Sequence, residues 1–192
     1  MIKDKNNNNK NLSSEFISIS FKSFVVDIKI KCKNFYAKIL DIKDKGVFEK
    51  IFIISENFLK KDMLGKKLYL SILLTNDIEM IKINKKSRNK AHTTNVLAFP
   101  YLNFINKNNL NHEFLNDTIM LGDIVISLDR INEEAKIAEK KVLDHFVHIL
   151  IHGILHLLGF DHETEEQARK MENIETKILN HIGIEDPYIN LW

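Results

Sequence analysis

Apolar residues recur at every second position in two early stretches, Ile17, Ile19 and Phe21, then Val26, Ile28 and Ile30. That is the period of a strand with one buried face. From Val47 to Leu59 they cluster as on a helix, so a strand-then-helix opening is expected. Leu68 to Leu74 is a short apolar run, followed by Thr75-Asn76-Asp77, whose side chains suit the start of a helix running to about Ile83. Asn95 to Phe99 reads as a strand ended by Pro100, Asn103 to Asn116 as a polar loop, and Ile119 to Ser127 as a further strand. Asp129 can cap a helix through about Lys140. Val142 to Leu158 forms another helix, stopped by Gly159, and Glu163 to Ile182 an amphipathic final one. Residues 1–14, rich in Asn, Lys and Ser, bury almost nothing, which predicts a disordered tail ahead of one domain over 15–192. No internal repeat is present, which excludes solenoids and propellers. The order predicts an α+β fold, with a small mixed sheet of about four strands covered by about five helices.

Composition narrows the class. A chain of 192 residues, 44% of them apolar, can bury one sizeable core. Six glycines and two prolines are too few for a collagen-like or loop-rich chain. With 28 basic and 26 acidic residues the net charge is +2, so a polyanionic partner must be attracted by a local patch. The one cysteine, Cys32, can form neither an intramolecular disulfide nor a paired-thiol metal clasp; it sits in a strand pattern, fits a reducing compartment and takes no role. The N-terminus lacks the apolar core of a secretory signal, and no apolar run is long enough to span a bilayer. A cytoplasmic protein with no membrane association is expected.

The most apolar segment, Val142 to Leu158, carries four histidines. His152 and His156 are one helical turn apart on one face, Gly159 can turn the chain back, and His162 follows. Three neutral imidazoles leave one tetrahedral position for water, the arrangement of a catalytic zinc, whereas structural zinc sites are usually closed by cysteines. One Zn2+ per chain, held by His152, His156 and His162 on a helix-Gly-turn, is therefore expected. His148 and His156 are separated by about 12 Å of helix axis, too far to share that ion. His148 is left with a role behind the ligands or toward substrate, or a purely structural one. The spacing matches the metzincin proteases, but Gly153 stands where those have their general base. That loss harms a peptidase more than a nuclease, which can work with a metal hydroxide and a cation on the phosphate.

The run His152-Gly153-Ile154-Leu155-His156-Leu157-Leu158-Gly159-Phe160-Asp161-His162 resembles the H-G-x-L-H-L-x-G-[FY]-D-H signature of the YbeY endoribonucleases, or ribosomal RNA maturation factors. The resemblance extends upstream through Ser87-Arg88 to Phe99-Pro100 and Leu121-Gly122-Asp123, and downstream through Met171-Glu172 and Ile184 to Tyr188. Asn89 and Thr93 stand where the family usually has Gly and Pro. The resemblance implies a zinc-dependent endoribonuclease specific for single-stranded RNA. It would act in late 16S ribosomal RNA 3′ end maturation, ribosome biogenesis and ribosome quality control. The implied partners are the small ribosomal subunit with its 16S precursor, small-subunit proteins and a ribosome-associated GTPase. The family's metal ligands carry over onto His152, His156 and His162, and its functional arginine onto Arg88.

Charge patterning points the same way. Lys82, Lys85, Lys86, Arg88 and Lys90 place five cations within nine residues without one acid. Such a stripe can bind phosphates, and the plain alternative is a solvated helix end. Lys85, Lys86, Arg88 and Lys90 are the candidate RNA-binding residues, with Arg88 able to fork onto a phosphate in catalysis. Asp161 either orients an imidazole or accepts a proton, or simply caps a turn; Asp123 is either a carboxylate behind the ligands or a sheet-edge residue. Two other classes remain open at this point. One is a zincin-like metalloprotease with a base from outside the motif; the other is a non-enzymatic ribosome assembly factor with a structural zinc.

Overall fold

A computed structural model describes residues 14–31, 45–59, 63–101 and 117–189. The expected tail up to residue 13, Cys32 and the polar stretch Asn103 to Asn116 lie outside the described residues. The apolar alternation becomes five strands: β1 (Glu15–Ser20), β2 (Phe24–Ile30), β3 (Lys67–Thr75), β4 (Val96–Pro100) and β5 (Thr118–Ser127). The expected count of about four was low because the chain from Glu15 to Ile30 forms two strands, not one. Its apolar residues change parity, from Ile17, Ile19 and Phe21 to Phe24, Val26, Ile28 and Ile30, and one straight strand would turn half of them to solvent. The chain instead reverses at Lys22-Ser23, where the Phe21 N–H donates to the Phe24 carbonyl at 2.8 Å.

The sheet order is β1-β2-β3-β5-β4. Its two outer pairs are antiparallel, and β2, β3 and β5 run parallel. Among the described residues, five α-helices complete the α+β fold: α1 (Lys45–Ser55), α2 (Asp77–Arg88), α3 (Leu128–Ile137), α4 (Val142–Leu157) and α5 (Glu165–His181). One sheet face buries Val26, Ile28, Leu70 and Ile72 in a core shared with α1, α4 and α5. On the other face Met80 of α2 packs with Leu97 and Val125. Helix α4 is apolar nearly all round and accordingly runs through the core.

Three helices differ from expectation at their ends. Helix α2 continues past Ile83 to Arg88, its last turn carrying Lys85, Lys86 and Arg88 against the helix dipole, and stops where Asn89 takes a left-handed φ of 56°. Ser127, not Asp129, caps α3, which ends at Ile137 and not at Lys140. Asp129 accepts the Asp77 N–H at 3.1 Å instead, so it serves the first turn of α2. Helix α5 begins at Glu165, behind a Thr164–Gln167 capping box, two residues later than expected.

Two glycines set the spacing around the histidines. A Cβ at Gly122, which has φ +138°, would lie 2.1 Å from the Phe99 carbonyl oxygen. The glycine therefore lets β4 pass close to β5 at a bulge, where Leu121 is the extra residue between the Tyr69–Met120 and Leu70–Gly122 pairs. A Cβ at Gly153 would sit 3.1 Å from Ile124, so α4 lies tight on β5 there.

Candidate metal centre

His152 and His156 project from α4 half-buried, and His162 arrives exposed from the segment beyond it. The turn between them closes in a Schellman-like pattern: the Gly159 N–H donates to the His156 carbonyl and the Phe160 N–H to the Leu155 carbonyl, both at 3.0 Å. Gly159 supplies the left-handed residue, with φ +84°. The chain so reversed brings His162 back over α4. Ligand atoms of the three imidazoles all lie within 4.8 Å of one another.

Hydrogen bonds on the far side of the rings decide which nitrogens face inward. His152 donates from Nδ1 to Glu175 Oε1 at 2.8 Å, and His156 from Nδ1 to the Phe160 carbonyl at 3.2 Å. Burial pushes the His156 pKa down to about 4, and the neighbouring His152 and His162 push the same way, so this ring is neutral near pH 7. With its proton on Nδ1, its Nε2 presents a lone pair toward His152 Nε2, 3.0 Å away. Nitrogen lone pairs converging at this distance, with a third imidazole alongside, form a donor set that suits a divalent cation.

Glu175 is the residue that sequence reasoning missed. It is fully buried on α5, beside Met171, Ile174, Ile178 and Leu179. Oε1 serves His152, while Oε2 accepts from His148 Nε2 at 3.0 Å and from the Tyr188 hydroxyl. Burial alone would raise its pKa, but the bonds from His148, His152 and Tyr188 outweigh it and hold the carboxyl at about 2. The same carboxylate, with burial as the larger cause, pushes the Tyr188 phenol well above its ordinary value. Tyr188 is fixed in turn by Asp186, whose Oδ1 accepts the Tyr188 N–H at 2.9 Å and the Thr176 hydroxyl at 3.1 Å. A carboxylate at a core position of an amphipathic helix was the available signal, since such a group is seldom buried without partners.

The imidazoles open into a cleft of about 980 Å³ whose wall also includes Arg88, Asn95, Tyr101 and Asp161. Arg88 reaches β4, donating to the Ala98 carbonyl at 3.3 Å. Asp161 accepts the His162 N–H on Oδ1 at 2.8 Å. Lys85, Lys86 and Lys90 are exposed but stand outside the cleft wall, and Lys82 pairs with Glu79 at 3.8 Å. His148 lies behind the centre, on Glu175. Asp123 accepts from the Tyr101 hydroxyl at 2.7 Å, and among the described residues no imidazole is its partner. A second groove, of about 740 Å³ across β1, β2, β3 and β5, has neither histidine nor arginine among its described lining residues. Among the described residues no helix is long and apolar enough to cross a membrane.

The family model described as endoribonuclease YbeY matches residues 30–183. The endoribonuclease YbeY of Bartonella bacilliformis is 44% identical over 122 residues, which is 64% of this chain and 73% of that protein. The solution structure of TM1509 from Thermotoga maritima aligns with a TM-score of 0.46 at 21% identity, covering 73% of this chain and 86% of that one. The matched stretch holds the three imidazoles, their turn, Arg88 and the buried Glu175, and by this match the chain belongs to the YbeY endoribonuclease family.

Proposed function

We propose that this chain is a cytoplasmic, zinc-dependent endoribonuclease that cuts single-stranded RNA and matures the 3′ end of precursor 16S ribosomal RNA. It would serve biogenesis and quality control of the small ribosomal subunit, in contact with small-subunit proteins and a ribosome-associated GTPase. Family membership supports the reaction class. The observation that carries the reading for this molecule is that one cleft wall contains both the convergent imidazoles and the Arg88 guanidinium.

His152, His156 and His162 would hold the zinc. Bound there, it supplies Lewis acidity and an activated water near neutral pH. Glu175 and the Phe160 carbonyl keep the ligand nitrogens of His152 and His156 unprotonated by fixing the proton on Nδ1. Arg88 binds the scissile phosphate through its planar fork and stabilises charge developing at phosphorus. Asp161, with Oδ1 occupied by the His162 N–H, has Oδ2 to take a proton. Lys85, Lys86 and Lys90 draw the RNA backbone toward the cleft.

The peptidase reading loses support at Gly153. Its Cα faces Ile124 of β5, so a side chain at that position would start in the core and not beside the imidazoles. Mapping small-subunit RNA 3′ ends in cells carrying wild-type protein or His156→Ala tests the proposal. Precursor should accumulate with the variant alone; normal ends would favour a non-enzymatic assembly factor.

A further inference from the structure

Tyr101 follows β4 directly and is tied to β5 at both ends. Its N–H donates to the Leu121 carbonyl at 2.9 Å, and its hydroxyl to Asp123 Oδ2 at 2.7 Å. Backbone and ring tip are thus both held, yet the residue is 53% exposed and lines the cleft that holds the imidazoles and Arg88. An aromatic side chain that is exposed through mobility loses entropy when a ligand orders it; one already pinned does not. With its hydroxyl committed to Asp123, what Tyr101 can still offer a ligand is its ring. The bond and the charge of Asp123 also raise the phenol pKa, so the ring stays neutral beside phosphates. Phe160, which also lines the cleft, is packed against the core and has the Lys170 ammonium 5.7 Å from its ring centroid, which leaves it less free.

We infer that the Tyr101 ring is a stacking platform for one unpaired nucleobase of a strand lying in the cleft, an inference that rests on the RNA reading above. Every base has a π-face, so such a platform tolerates any sequence, but it needs a base not already stacked inside a duplex. Arg88 and the metal site would address the phosphodiester, while Tyr101 holds a nearby base and selects single strands.

The test is binding of a fluorescent oligouridylate with 2′-O-methyl sugars to the full, zinc-loaded chain. Tyr101→Ala should weaken binding about ten-fold, whereas Tyr101→Phe and Tyr101→Trp, which keep a ring, should stay within about two-fold of wild type. The tryptophan emission of Tyr101→Trp should change on binding, and an abasic strand of equal length should bind wild type and Tyr101→Ala alike. Wild-type affinity in Tyr101→Ala overturns the platform while leaving the RNA reading intact. So does an equal loss in Tyr101→Phe, which would assign the effect to the bond with Asp123. If wild-type protein binds no single strand, the RNA reading of the cleft fails and the platform with it.

Discussion

The candidate centre has two sides, built differently. On the α5 side Glu175 is fully buried and accepts from His148, His152 and Tyr188. On the cleft side Arg88 is exposed and bonds a single carbonyl at 3.3 Å, and Asp161 and His162 are exposed too. A buried polar network is costly to leave half-satisfied, so the α5 side holds the rings in one orientation and resists change. Exposed cleft groups carry little folding energy and are free to meet a substrate. On the proposed reading, the α5 side therefore governs metal affinity and stability, and the cleft side the chemistry.

Substitutions can break or sharpen that contrast. The largest effect is expected from Glu175→Ala, which strands three half-buried partners. Its unfolding free energy should fall by on the order of 3–5 kcal/mol, and metal affinity in competition with a chelating dye by about 10–100-fold. Wild-type metal affinity in that variant would erase the distinction between the two sides. Next, Arg88→Ala should slow RNA cleavage by about 100–1,000-fold while melting and metal affinity stay at wild type; a large fall in either would move Arg88 to the structural side.

Acid should act first through the α5 side and the ligands. The folded pKa values of His156, about 4, and Glu175, about 2, both lie below their ordinary values of 6.5 and 4.5. The unfolded chain thus binds protons that the folded chain refuses, and stability must fall with pH. In metal-free protein the His156 contribution is complete above 6.5 and disappears toward 4, and the Glu175 contribution is complete above 4.5 and disappears toward 2. Denaturant midpoints across that range measure both, and a flat profile from 6.5 to 4 would contradict the neutral His156. The smallest effect belongs to the double variant Lys85→Ala, Lys86→Ala. It should leave cleavage chemistry unchanged and reduce the salt slope of RNA binding by about two, roughly one per cation.

What could be read in the sequence was local. His152, His156 and His162 were legible because helix pitch and a glycine turn bring them together within eleven residues. The helices and most strands were legible from apolar period. Glu175 was not, because its role depends on α5 docking against α4, and nothing at residue 175 points across 23 positions to His152. Its only local trace was a carboxylate in the buried row of Met171, Ile174, Ile178 and Leu179. The cap of α3 failed for a similar reason: Asp129 satisfies an N–H of α2, 52 positions away, and leaves Ser127 to do the capping. The cations after Lys82 form one run in sequence, yet α2 and its end place only Arg88 in the cleft wall.

Gly153 has an evolutionary reading. The step from this histidine spacing to that of a peptidase looks like one codon, glycine to glutamate. Here the new side chain would begin 3.1 Å from Ile124, inside an aliphatic bed. The Ile124 side chain would have to give by a few tenths of an ångström for the first carbon alone, and the carboxylate would begin on the β5 side of α4 among aliphatic groups. Two hydrolase classes with one histidine signature thus differ here in what the sheet lays against the residue that follows the first histidine.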